Sequence, residues 1–96
     1  MTRDETLRLL REHREDLTRL GVESLALFGS TARDEAGAES DVDLLVEFVT
    51  PPGFDGYMNL KFYLEDLLGC GVDLVMKSAL KPWARPVVES EAIYVA

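Results

Sequence analysis

Three short apolar runs limit the fold more than any other feature of this chain. Ser24–Phe28, Val42–Val49 and Val72–Met76 read as β-strands. Leu25, Ala26, Leu27 and Phe28 are too continuously apolar for a strand wetted on one side, so both faces of this strand should be covered. The segments between the runs carry helical spacing instead. From Thr2 to Leu20, Leu7, Leu10, Leu17 and Leu20 recur at intervals of three, seven and three, with Arg, Glu and Asp opposite, and Gly21 supplies the stop. His13 shares that stripe and reads as a packing residue. Thr31–Ala36 fits one or two helical turns and Gly37–Ser40 a loop. Thr50-Pro51-Pro52-Gly53 breaks the second strand, because prolines cannot donate into a ladder. Leu60, Leu64, Leu67 and Leu68 then mark a helix with Glu65 and Asp66 outside. Gly69-Cys70-Gly71 ends it; Leu80–Glu91 follows the third strand as a last helix, and Ile93–Val95 is a short strand or extended tail. The order α-β-α-β-α-β-α implies an α/β (α+β) chain, with a sheet of at least three strands and helices packed on it.

Size and charge narrow the class. With 96 residues and no repeat or linker, residues 1–96 are expected to form a single domain. Ten Lys and Arg stand against 18 Asp and Glu, a formal −8. Such a surface repels phosphate backbones at long range, which excludes a non-specific DNA or RNA binder. It suits a partner with a basic face, or carboxylates meant to hold cations. No apolar stretch approaches the ~20 residues of a membrane span, and no basic-then-apolar leader opens the chain. The lone Cys70 cannot make an internal disulfide, so a cytoplasmic protein is expected.

The chemistry is concentrated in FGSTARDEAGAESDVDLLVE, from Phe28 to Glu47. Residues i and i+2 of a strand point to one face about 6.5–7 Å apart, so Asp41 and Asp43 project together while Val42 and Leu44 face away. Two like charges side by side repel, and a divalent cation such as Mg²⁺ removes that conflict. Alternatively, Asp41 caps a loop and Asp43 sits on a solvated strand end. Gly29-Ser30 turns a strand straight into a helical segment. The turn would present backbone N–H groups to an anion, with Gly29 allowing close approach and Arg33 one turn further on. The competing reading is a helix cap by Ser30 with Arg33 in solvent. Asp73 lies inside Val72-Asp73-Leu74-Val75, where a carboxylate needs a metal, hydrogen bonds or an exposed strand end. If its strand neighbours the one carrying Asp43, three carboxylates converge, an arrangement able to hold two metals about 3.5–4 Å apart.

Gly29-Ser30, ten residues, then Asp41-Val42-Asp43 resembles the signature of the nucleotidyltransferase superfamily that includes DNA polymerase beta. In length and element order the whole chain is similar to its smallest branch, the minimal nucleotidyltransferases or MNT proteins. Phe28–Arg33, Ser40–Val46, and Leu67-Leu68-Gly69 followed by Val72–Val75 carry the likeness, and the tail from Leu80 to Tyr94 extends it. The resemblance implies a polymerase-beta-like fold. It also implies two Mg²⁺ ions on Asp41, Asp43 and Asp73, with Asp73 holding the one that activates the attacking hydroxyl. The phosphates of ATP would lie on Gly29 and Ser30. By the same likeness the chain would be the antitoxin of a HEPN-type toxin, an all-helical RNase with a basic groove, and would transfer AMP to a tyrosine of that partner. An antitoxin that only binds, and a small-molecule transferase completed by a partner chain, are the alternatives. One departure is Asp34, where the family usually has glycine; it either points into the pocket and weakens nucleotide binding or lies outward on the surface.

Other residues are read more plainly. Cys70 fills a turn between two glycines. Trp83, beside Lys81 and Arg85, either anchors a partner or covers the end of the sheet. The Pro51–Gly56 loop gates the site or merely connects two elements.

Overall fold

The computed structural model describes residues 2–33 and 41–95. Asp34, the rest of the expected helical turns to Ala36, and the Gly37–Ser40 loop lie outside the described residues. The elements in chain order are α1 (Arg3–Glu12), α2 (Arg14–Arg19), β1 (Val22–Phe28), α3 (Gly29–Ala32), β2 (Val42–Phe48), α4 (Gly53–Leu68), β3 (Val72–Met76), α5 (Arg85–Glu91) and β4 (Ile93–Tyr94). A short 3₁₀ turn, Lys77–Ala79, follows β3.

The four strands form one mixed sheet in the order β3-β2-β1-β4. β1 pairs antiparallel with both β2 and β4, whereas β2 and β3 run parallel. A parallel pair needs a crossover, and α4 supplies it. β2 and β3 consequently begin at the same end of the sheet, where β1 finishes. That topology puts the end of the first strand and the start of the other two side by side.

Alternation along the strands sorts the sheet into two faces. Val42, Leu44 and Val46 of β2, Leu25 and Leu27 of β1, and Val72 and Leu74 of β3 join one core with Leu7, Leu10, Leu17, Leu60, Leu64 and Leu68 of the helices. Each such leucine contributes about 1.5–3 kcal/mol on leaving water. The opposite face carries Asp43, Leu45 and Glu47, with Asp73 and Val75 beside them. Helix α5 lies over this second face: Lys77 Nζ bridges Glu47 of β2 (3.4 Å) and Glu89 of α5 (3.7 Å).

Local chemistry explains the ends of the helices. Thr2 Oγ1 accepts the Glu5 N–H at 3.2 Å, and Asp4 and Glu5 sit in the first turn of α1. Gly69 closes α4 in the left-handed region (φ 70°), which glycine enters without strain. Two side chains of α4 also cover the outer edge of β3: Glu65 accepts the Val72 N–H (3.1 Å), and the Tyr57 hydroxyl donates to the Leu74 carbonyl.

Several sequence expectations change here. The single helix from Thr2 to Leu20 is two, broken at His13. The His13 ring nitrogen Nδ1 bonds the Leu9 carbonyl (2.8 Å), and its backbone (φ −106°, ψ 22°) leaves the helical region. Glycines 53 and 56 belong to α4, so the expected Pro51–Gly56 loop is already helical from Gly53. The last helix starts only at Arg85, with Pro86 in its first turn, where the missing N–H costs no bond. Ile93-Tyr94 is a true strand on the edge of β1. Trp83 is 80% exposed, so it does not cover the end of the sheet.

Candidate active site

The carboxylates meet because of strand register. Asp43 of β2 faces Asp73 of β3 in the parallel pair, and on its other side Asp43 faces Phe28, the last residue of β1. Asp41 precedes β2, held there by the Val42 N–H to Gly71 carbonyl bond (3.0 Å). Asp43 is half-buried; Asp41 and Asp73 are exposed at the rim.

Two glycines make room for these acids. Gly29 has φ 71°, and a Cβ there would fall on Asp43 Oδ2, with the carboxyl carbon at 3.0 Å. A Cβ on Gly71 would meet Asp41 Oδ1. The Gly29 turn and the Asp43 carboxylate therefore share one small space, which only a residue without a side chain leaves open.

Burial, then the charges of Asp73 and Asp41, push the Asp43 carboxyl above its ordinary 3.8, and Asp73 also lies within hydrogen-bonding reach of it. The guanidinium of Arg33 acts in the opposite direction. Arg33 itself pairs with Glu91 of α5, Nη1 to Oε2 at 2.9 Å.

The cap reading of Ser30 fails, because Phe28 occupies the N-cap of α3 and no side chain caps it. Ser30 is the second residue of that helix, directly beyond the Gly29 turn. The Thr31 hydroxyl next to it is buried and has no hydrogen-bond partner among the described residues, a cost of about 1–3 kcal/mol. Cys70 is partly buried and free, and burial raises its thiol pKa, consistent with a filler rather than a nucleophile.

The six residues singled out from sequence thus gather at one end of the sheet. Among the described residues, however, no group of three or more His, Cys, Asp or Glu side chains is drawn together closely enough to hold a metal ion as it stands. The donor set still fits a hard divalent cation: carboxylate oxygens only, a slot kept free of side chain at Gly29, and like charges that raise the pKa of Asp43. Among the described residues the site lies along the rim of the sheet. A recess of about 550 Å³ lies instead at the far end of the sheet, between Phe48, Pro51, Met76, Lys77 and Arg85. Sequence reasoning missed Glu91; the only signal was its place near the end of the last helix.

The fold and this cluster define a nucleotidyltransferase domain, and comparison agrees: the sequence pattern of that domain family matches residues 10–95. The chain belongs to the nucleotidyltransferase family, in its minimal (MNT) branch. It is 44% identical over 96 residues to the protein adenylyltransferase MntA of Thermococcus cleftensis, covering 99% of this chain and 97% of that one. It is also similar to a solved structure assigned as a minimal nucleotidyltransferase (42% identity, TM-score 0.84, 97% and 95% coverage). The MNT antitoxin complex with a tri-AMPylated Shewanella oneidensis HEPN toxin shares the fold at 19% identity (TM-score 0.66, 94% and 71% coverage). Among the described residues no helix is long and apolar enough to cross a membrane.

Proposed function

We propose that this chain transfers AMP from ATP to a hydroxyl of a partner protein, a tyrosine of a HEPN-type toxin, and so acts as its antitoxin in the cytoplasm. The observation that carries this reading is the Asp43–Asp73 pair set in register beside the Gly29 turn. Asp41, Asp43 and Asp73 would hold Mg²⁺, two ions by family resemblance, which when bound would supply charge neutralisation as the hydroxyl oxygen, losing its proton, bonds in line to the α-phosphorus and the α–β phosphoanhydride bond breaks to release pyrophosphate. Gly29 and Ser30 orient the β- and γ-phosphates, and Arg33 adds a cation near them. Asp73, on the edge strand β3, would hold the ion that activates the acceptor hydroxyl. The protein's share of catalysis is positioning.

Two features support an acceptor carried by another protein. Among the described residues, Asp41 and Asp73 lie exposed at the rim of the sheet. The formal charge of −8 fits a basic partner surface. The whole 1–96 stretch is read as the single catalytic domain, with the partner completing the site.

The test is to incubate the protein with ATP, Mg²⁺ and the HEPN-type protein encoded beside it, then weigh the partner by mass spectrometry. Transfer adds about 329 Da per AMP, the mass of AMP less water. The gain should vanish in Asp43→Ala. Complex formation with no added mass in the wild type would leave a binding-only antitoxin. Mass added to a small-molecule acceptor instead would overturn the protein substrate.

A further inference from the structure

Glu91 stands outside the cluster described above, yet it touches it. Its Oε2 meets Nη1 of Arg33 at 2.9 Å across 58 residues of sequence, joining the end of α5 to the residue that caps α3. The charge of Arg33 acts on Asp43. We infer that Glu91 is a positioning residue, which holds the Arg33 guanidinium beside the Gly29 turn ready for the phosphates of the nucleotide. The inference rests on the nucleotidyltransferase reading of the site.

The setting of α5 supports this. None of its residues is buried, so hydrophobic packing does little to fix it. Two ion pairs reach it from outside the helix: Lys77 on Glu89 and Arg33 on Glu91. An exposed ion pair adds little to stability, so a clasp of this kind has small value as a staple. Its value lies in the arginine. Arg carries a long side chain whose rotamers must be frozen when it grips a phosphate, and a carboxylate that freezes them beforehand removes that cost from binding.

The test measures binding of a non-hydrolysable ATP analogue with Mg²⁺ by calorimetry, alongside thermal melting. Glu91→Ala should weaken the analogue about 3- to 10-fold, with the melting temperature nearly unchanged. Glu91→Gln, which keeps the length and an acceptor, should fall between. In turnover, Glu91→Ala should raise KM for the nucleotide and leave kcat unchanged. The exchanged pair Arg33→Glu/Glu91→Arg separates clasp from function: it should restore any lost melting temperature but not the affinity. Full affinity in that double variant, or in Glu91→Ala, overturns the inference and leaves a structural clasp. Failure of the wild-type protein to bind the analogue overturns instead the nucleotidyltransferase reading beneath it.

Discussion

The two faces of the sheet are built on opposite terms. On one, Val42, Leu44 and Val46 sink into leucines of α1, α2 and α4, and Leu10, Leu17, Leu60 and Leu64 have no exposed surface. On the other, the same strand offers Asp43 and Glu47 on either side of a buried Leu45, and the helix above buries none of its own residues. One residue of offset along β2 separates the two regimes. The lesson is that stability and chemistry are divided by side-chain parity, so substitutions one position apart should fail in different ways.

The largest effect is expected on the packed face. Leu64→Ala should destabilise the fold by about 3–5 kcal/mol, seen as a collapse of the denaturation midpoint, with activity lost only in proportion to unfolding. Across the sheet, Asp43→Asn should lower nucleotidyl transfer by on the order of 10²–10³-fold while the fold survives. Its melting temperature should rise at neutral pH. Asp43 has a raised carboxyl pKa in the fold, so its favourable contribution is complete below the ordinary value of 3.8 and is lost as pH rises through the raised value. The pH profile of melting in the metal-free protein should therefore flatten in the variant. A profile identical to wild type would mean that the acids of this face do not repel one another.

Gly29→Ala comes next. It forces a side chain into φ 71° and onto the Asp43 carboxylate, for about 1–3 kcal/mol of strain together with loss of transfer. Gly71→Ala meets only the mobile end of Asp41 and should shift activity with little change in melting, which tests whether Asp41 matters less than Asp43. The smallest effect belongs to Trp83→Ala. At 80% exposure it should alter stability within about ±0.5 kcal/mol, and any larger loss should appear only in partner binding measured by calorimetry.

How much of this was legible in the sequence follows from the range of each interaction. The strands and the chemistry of Phe28–Glu47 were readable because period and spacing are local properties of the chain. The juxtaposition of Asp43 with Asp73 could be expected only on the condition that their strands were neighbours. Its register became fixed once α4 crossed over to make β2 and β3 parallel. The break at His13 was not legible, since Leu10 and Leu17 keep one stripe on both sides of it while the backbone turns between them. Nor was the Arg33–Glu91 pair, whose partners stand 58 residues apart and are brought together by the docking of α5 on α3. Trp83 between two cations could have been buried or bare, because composition does not tell which side of a short turn faces water.

The outer margin of β3 has a consequence for assembly. With Glu65 holding the Val72 amide and Tyr57 holding the Leu74 carbonyl, two of the outward hydrogen-bonding groups on that border of the sheet are engaged by its own helix. An incoming strand would have to displace both bonds to pair along its full length. That cost works against indiscriminate strand exchange beside the acidic rim and favours a partner recognised through shape and charge.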